Sequence, residues 1–137
     1  MLLRLPFDIL VILLPILLFS LCFHEFAHAF IAYINGDKTA YYKGRLTLNP
    51  LSHLDPVGTL MILFVGFGWA KPVPVNPMNL GNRDIDMIKV AFAGPASNLL
   101  LAFLSGIAIR LSSNGIVAFS GDIYTILFYF TYINIML

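Results

Sequence analysis

The chain has 137 residues, of which 59% are hydrophobic and only 11% are charged. Soluble domains carry about 25% charged residues, so this composition predicts a membrane protein, and the length predicts a single domain over residues 1–137. The formal net charge of +1 gives no basis for nucleic-acid binding, and the single cysteine, Cys22, excludes an internal disulfide and a cysteine-rich zinc site.

The first predicted helix runs from about Pro6 to Ile34 and is long enough to cross a bilayer. Its apolar run contains an H-E-x-x-H pattern that begins at His24 and ends at His28. Each helical residue advances about 100°, so the two histidines share one face and can bind one zinc ion. Glu25 lies beside them and can act as general base toward a zinc-bound water. An ionised carboxylate at membrane depth costs about 2.5–3.5 kcal/mol, which favours a chemical role for Glu25.

The polar segment that follows carries two weaker signals. Residues Arg45 to Leu48 alternate in polarity and predict a short strand. His53 and Asp55 stand just before Pro56, where a turn with an Asx-type hydrogen bond is favoured over metal ligation, although ligation stays open. The apolar segment from Gly58 to Gly68 is too short to span a bilayer and predicts a re-entrant or interfacial segment.

The segment from Trp69 to Asn76 has prolines at positions 72 and 74. These prolines remove the donors from one edge of an extended strand, whereas Val73 and Val75 keep their N–H groups on the other edge. We predict that this edge holds substrate as an added strand, because such pairing uses main-chain hydrogen bonds. A stiff loop without pairing is an equally good interpretation of the prolines.

A second membrane helix is predicted from Met87 to Leu111. Small residues recur along it every three or four positions, a pattern that lets another helix backbone approach closely. This stripe consists of Ala91, Gly94 or Pro95, Asn98, Ala102, and Ser105 or Gly106. Asn98 is therefore expected to face a protein neighbour, either in an interhelical hydrogen bond or in a contact near the metal or substrate.

A last apolar run extends from Ile123 to Leu137, about five residues fewer than a spanning helix needs, which predicts a C-terminally truncated helix. The predicted fold is an α-helical polytopic membrane protein with about three transmembrane helices, a re-entrant or interfacial segment and short strands. We expect a multi-pass protein of the cell membrane. Its basic loop residues would face the cytoplasm, provided that Gly58–Gly68 does not cross the bilayer.

Taken together, these residues resemble the site-2 protease family of intramembrane zinc metalloproteases, and most closely its small prokaryotic members. The resemblance covers Leu13 to Leu137. It rests on four motifs in this order: His24-Glu25-Phe26-Ala27-His28; Leu46-Thr47-Leu48-Asn49-Pro50 with His53-Leu54-Asp55-Pro56-Val57-Gly58; Phe67-Gly68-Trp69-Ala70-Lys71-Pro72-Val73-Pro74-Val75-Asn76-Pro77; and Ala93-Gly94-Pro95-Ala96-Ser97-Asn98.

The resemblance implies that His24 and His28 bind Zn²⁺, that Glu25 is the catalytic acid/base, and that the substrate is a transmembrane protein cleaved within the lipid bilayer. It also implies a third ligand, an aspartate in a Leu-Asp-Gly motif, and this tripeptide does not occur in the sequence. We therefore expect this chain to be a poor protease as it stands. Two other interpretations stay open: a non-catalytic membrane scaffold, and a membrane protein that handles protons or ions through the same residues.

Overall fold

The computed structural model describes residues 6–65 and 68–137, and within these ranges it describes every side chain except those of residues 62 and 63. Five α-helices make up most of the described chain. They are α1 (Phe7–Ile34), α2 (Thr39–Tyr42), α3 (Pro56–Val65), α4 (Arg83–Ser113) and α5 (Gly121–Met136). Two short 3-10 turns, Pro50–Ser52 and Pro77–Asn79, interrupt the connecting segments.

Helices α1 and α4 are long and apolar enough to cross a membrane, with 28 and 31 residues. The predicted bounds of α1 are confirmed to within one residue. Helix α4 begins four residues before the predicted Met87, because the side chain of Asn82 caps it by accepting a hydrogen bond from the Ile85 N–H. Helix α5 has only 16 residues. Within residues 6–65 and 68–137, two helices are thus candidate spans, where we predicted about three.

Small and polar residues form the buried face of α4, and large apolar residues form its exposed face. The buried positions are Asp86, Val90, Gly94, Asn98, Ala102 and Ser105. The exposed face carries aromatic and aliphatic side chains such as Phe92, Leu99 and Phe103. This distribution fits helices packed in lipid, where small residues permit close contact and large apolar residues face outward. The predicted stripe is confirmed, except that Ala91 and Pro95 are exposed and Val90 is buried instead.

Helix α5 packs against both α1 and α4. Polar bonds fix two of these contacts: Ser105 and Thr131 share a hydroxyl–hydroxyl bond of 2.8 Å, and Asn134 Nδ2 donates to Ser20 Oγ at 2.9 Å. Asn134 and Ser20 are both buried. Because no aqueous solvent competes inside such a bundle, these short polar bonds help to define how the helices fit together.

The predicted short strands are wrong for the described residues, where pairing is limited to one isolated antiparallel bridge between Leu54 and Ala70. Arg45, which we placed in a strand, is buried, and its guanidinium bonds to main-chain carbonyls instead of its backbone joining a ladder. The segment Gly58–Gly68 is helical as far as Val65. Residues 66 and 67 lie outside the described residues, and residue 67 is the phenylalanine that begins the third motif.

The carboxylate of Asp37 joins the end of α1 to the segment that precedes α4. This fully buried side chain accepts hydrogen bonds from the Thr39 N–H and hydroxyl, from the Asn76 N–H at 2.7 Å and from Asn79 Nδ2 at 3.0 Å. Burial raises the pKa of the Asp37 carboxyl, but these hydrogen bonds outweigh burial and hold the pKa below its usual value. The charged form is therefore the one that stabilises the fold.

We predict that Asp37→Asn destabilises the chain by about 2 kcal/mol or more at neutral pH, because hydrogen bonds to a charged acceptor each contribute about 1.5–3 kcal/mol. The pKa is lower in the folded than in the unfolded state. The contribution of Asp37 is therefore present above the unfolded pKa of about 3.9 and is lost as pH falls through the folded value.

Thermal unfolding in detergent between pH 3 and pH 7 tests this expectation. The acid-induced fall in Tm should be smaller in Asp37→Asn than in the wild type. Asp122→Asn removes an exposed carboxylate and serves as the matched control. Equal pH dependence in all three chains would show that Asp37 does not stabilise the fold through its charge.

Candidate zinc and catalytic site

His24 and His28 lie one turn apart on the same face of α1 and are both half-buried. Their ring centroids are 4.7 Å apart, with the rings edge to face at 78°. Both Nε2 atoms point at one spot beside α4, since a Cβ built on Gly94 would lie 2.4 Å from each. The two nitrogens are therefore no farther apart than twice that distance.

The opposite nitrogen of each ring is held by α4. His28 Nδ1 lies 2.6 Å from the carbonyl oxygen of Val90. A carbonyl only accepts, so Nδ1 carries the proton and donates it, and Nε2 keeps a free lone pair. His24 Nδ1 lies 3.0 Å from Nδ2 of the buried Asn98. Hydrogen bonds on the far side of the ring are how metal-binding histidines are usually oriented.

Gly94 makes room for this arrangement. A side chain there would meet Nε2 of both histidines and also Cδ2 of His24 at 2.6 Å. The missing Cβ leaves a cradle between the helices, and the cradle is lined by two imidazole nitrogens. Imidazole nitrogen is among the ligands that zinc prefers, so the side chains present fit two positions of a zinc coordination shell.

Glu25 is half-buried beside the histidines, and its carboxylate contacts the segment before α4. The Val73 N–H donates to Glu25 Oε2 at 3.1 Å. The structure therefore brings Val73 to the predicted catalytic residue, but our expectation that its donor is free was wrong. Within residues 6–65 and 68–137, no main-chain or side-chain group accepts a hydrogen bond from the Val75 N–H.

We call residues 70–76 the strap. Its first residues are held by groups from the preceding loop: the Lys71 N–H donates to the carbonyl of His53 at 2.8 Å. Arg45 Nη2 donates to the carbonyls of Lys71 at 2.6 Å and of Pro72 at 3.4 Å. The far end is held by the Asp37 carboxylate. The strap is thus fixed at both ends, with Glu25 between them.

The structure places His53 and Asp55 away from the two histidines. His53 is 2% exposed, and its Nε2 donates to the carbonyl of Thr47 at 2.8 Å. Asp55 accepts a 2.8 Å hydrogen bond from the Gly58 N–H at the start of α3, the turn-like bond that we favoured from the sequence. In the part of the chain that the structure describes, no set of three His, Cys, Asp or Glu side chains could hold a metal ion. A third protein ligand is therefore not assigned to either residue.

Sequence reasoning missed Val90, Asp37 and Arg45. Val90 acts through its carbonyl, which no side-chain pattern reports, and the predicted stripe began one residue later, at Ala91. Asp37 lies just after the end of α1, and no local pattern reports its bonds to Asn76 and Asn79. Arg45 had a visible signal, a charge that alternates with apolar residues, which we assigned to a strand.

The chain is similar to proteins whose names describe zinc metalloproteases. It is 50% identical over 99 residues to "Putative zinc metalloprotease YwhC" of Bacillus subtilis (strain 168), across 72% of this chain and 45% of YwhC. It is 40% identical over 95 residues to "Putative zinc metalloprotease Rip2" of Mycolicibacterium smegmatis, across 64% of this chain and 35% of the relative. Rip2 of Mycobacterium tuberculosis (strain H37Rv) is 38% identical over 102 residues, across 69% and 38%.

The chain spans less than half the length of these relatives. No protein-family model matches it, and neither does any solved structure.

We predict that Gly94→Ala forces the histidine rings apart, because the new methyl group would lie 2.4 Å from both Nε2 atoms. Overpacking of this kind costs about 1–3 kcal/mol of stability, and it should also lower the amount of zinc retained. Gly106→Ala is the matched control on the same helix, since a Cβ there meets no atom within 4 Å.

Metal content after dialysis and Tm in detergent measure the two effects. Gly106→Ala should match the wild type in both, or gain slightly in stability because alanine favours helix. Wild-type zinc content in Gly94→Ala would contradict the close approach of the two rings to α4.

Proposed function

We propose that this chain carries the zinc-binding and catalytic part of an intramembrane metalloprotease that cleaves membrane-spanning substrates. The observation that carries the proposal is the convergence of the His24 and His28 Nε2 atoms on one spot beside Gly94, with Glu25 next to them. The apolar outer faces of α1 and α4 support a membrane location, and the relatives' names support the zinc chemistry. We further propose a multi-pass arrangement in the cell membrane.

His24 and His28 would hold the ion through their Nε2 atoms. When bound, zinc polarises the scissile carbonyl and lowers the pKa of a water at the site to about 7. Glu25 takes a proton from the attacking water and transfers it to the nitrogen of the leaving amine, while the C–N bond breaks. Before substrate enters, the hydrogen bond from the Val73 N–H holds the Glu25 carboxylate in place.

The strap is the proposed contact for substrate. In an extended segment, residues two apart present their N–H groups on the same edge, so Val73 and Val75 share an edge. That edge faces the catalytic carboxylate, because the Val73 N–H reaches Glu25. A substrate segment that pairs along it would bring its main chain to Glu25 and would take over the donor that Glu25 now holds.

Two other functions would use the same residues differently. A proton- or ion-handling protein would need Glu25 and the histidines but no zinc in stoichiometric amount. A scaffold would bind partners without depending on Glu25, and it would need a surface other than the small-residue face of α4, which is packed inside the chain. Measured zinc content distinguishes a protease from a proton- or ion-handling protein. Removing the charge of Glu25 distinguishes a protease from a scaffold, because only the protease should lose its function.

We predict that His24→Ala and His28→Ala each lose zinc, because each removes a ligand. Glu25→Gln should keep zinc and lower peptide-bond cleavage by about 100-fold or more, because it removes the general base and leaves both histidine ligands in place. Metal analysis gives the zinc content, and cleavage of a membrane-spanning model peptide in reconstituted bilayers gives the activity. Ser97→Ala is a control on α4, since among the described residues the Ser97 hydroxyl bonds to the Gly94 carbonyl of its own helix and not to a histidine.

Stoichiometric zinc in both histidine variants would refute the ligand assignment. Wild-type turnover in Glu25→Gln would refute the role of that carboxylate. A wild-type chain that binds no zinc would exclude the metalloprotease and leave the proton-handling and scaffold functions.

We predict that Val75→Pro lowers cleavage by roughly 2- to 10-fold, because it removes one donor that a paired substrate would use. Val75→Ala keeps that donor and removes most of the side chain, so it should retain cleavage. Both variants should keep wild-type zinc, since the hydrogen bonds that hold the two histidine rings come from α4 and not from the strap. Equal cleavage by Val75→Pro and the wild type would favour a stiff loop that does not pair with substrate.

A further inference from the structure

We propose that a groove between α4 and α5 binds one anionic phospholipid, with an acyl chain along the groove and the headgroup phosphate on Arg110. The inference rests on the proposed membrane location and not on the zinc chemistry. The groove is separate from the candidate zinc site, because Val90 and Asn98, which bond to the two histidines, do not line it.

The groove has a volume of about 640 Å³, within the range of about 300–1,000 Å³ that is usual for small-molecule sites. Apart from one residue its lining is apolar, and it consists of Leu99, Ala102, Phe103, Gly106 and Ile107 on α4 and Ile135 on α5. Gly106 leaves open space, since a Cβ built there would meet no atom within 4 Å. Phe103 and Ile135 are 66% and 62% exposed. The described chain therefore does not fill this groove.

The remaining lining residue is Arg110, in the last turn of α4. Its side chain is exposed, and within residues 6–65 and 68–137 the ion pair that the structure shows joins Lys89 to Asp86. Asp122, the acidic residue nearest to Arg110 in the sequence, does not neutralise it. The helix dipole alone favours a cation in a last turn, but it does not require an apolar groove that leads to the cation. A guanidinium without an ionic partner is a good ligand for a phosphate group.

The groove also has the length of one leaflet of a bilayer. Leu99 and Arg110 are eleven residues apart, which at about 1.5 Å per residue is roughly 16 Å. The hydrocarbon core of a bilayer is about 30 Å thick, so one leaflet contributes about 15 Å. The segment between Lys89 and Arg110 contains no charged residue, so Arg110 marks one edge of the apolar part of α4. An acyl chain in the groove would thus place its headgroup at Arg110.

The charge of Arg110 is what makes this groove selective. Any apolar face in a bilayer is covered by acyl chains, and that cover does not depend on the headgroup. Here the headgroup end of the groove carries an unpaired positive charge. A zwitterionic lipid brings a cation of its own to that place, whereas an anionic lipid brings only its phosphate. Charge complementarity therefore favours the anionic lipid.

The test uses the full 137-residue chain in detergent with equal amounts of phosphatidylglycerol and phosphatidylcholine. Native mass spectrometry counts the lipids that stay bound and identifies their headgroups. The wild type should retain one phosphatidylglycerol in preference to phosphatidylcholine. Arg110→Gln should bind phosphatidylglycerol roughly 5-fold more weakly, the effect of one basic residue at a membrane surface, and should lose the preference. Arg83→Gln is the matched control, since it removes an exposed arginine at the other end of α4 and should keep the preference.

A second variant tests the groove itself. Gly106→Leu places a side chain in the open space, so it should retain neither lipid, while Tm in detergent should not fall. Inorganic phosphate should not displace the bound phosphatidylglycerol, because the acyl chain holds most of the contact. Displacement by phosphate would identify a site for the free anion and would overturn the proposal.

Three further results would also overturn it. They are equal retention of the two lipids by the wild type, unchanged retention in Gly106→Leu, and a lipid-free dimer that Gly106→Leu dissociates, which would make the groove an interface between copies. Flotation with vesicles of the same lipids separates this proposal from the proposed function. A chain that does not float refutes the membrane location of both, whereas a chain that floats without headgroup preference refutes the lipid site alone.

Discussion

The close approach of α1 and α4 at Gly94 is the constraint on which the rest of the site depends. His24 contacts Asn98 and His28 contacts Val90, so the two helices run in opposite directions past each other. Val90, Gly94 and Asn98 stand on three successive turns of α4, and the histidines stand on two successive turns of α1. Each histidine ring therefore has one partner on α4, Asn98 for His24 and Val90 for His28. Gly94 lies midway between these two partners and leaves space for the rings.

This contact cannot rely on the hydrophobic effect if the helices lie in lipid, because the surrounding acyl chains are as apolar as leucine. Small residues, close packing and polar bonds must hold the helices instead. Polar groups form hydrogen bonds between the helices: the His28 ring bonds to the main-chain carbonyl of Val90, and Asn134 bonds to Ser20. The same polar bonds that assemble the bundle thus also orient the rings, so the site is part of how the helices pack.

The helices and the stripe on α4 could be predicted from the sequence because their signals are local. Apolar length gives a spanning helix, and small residues every three or four positions give a packing face. The bond at Asp55 was favoured for the same reason, since an aspartate just before a proline forms its hydrogen bond within its own turn.

The strap could not be predicted in the same way. Three of its contacts are with Glu25, Asp37 and Arg45, which bond to strap main-chain groups 26 to 48 residues away in the chain. Alternation over a few residues says nothing about such partners. The strand predicted around Arg45 was wrong. The Arg45 main-chain N–H donates to the Ala40 carbonyl in a local turn, and the Arg45 side chain, not its backbone, reaches the carbonyls of the strap.

The unpartnered polar atoms point to how a hydrolytic site could operate inside an apolar bundle. In the described part of the chain, the buried side-chain atoms without partners belong to Arg45, His53, Asn98 and Asn134. Each such atom costs about 1–3 kcal/mol when it stays unsatisfied. Arg45 and His53 hold the strap beside Glu25, and Asn98 holds His24. Water that reached these atoms would remove much of the cost, and the proposed function also requires water to reach Glu25.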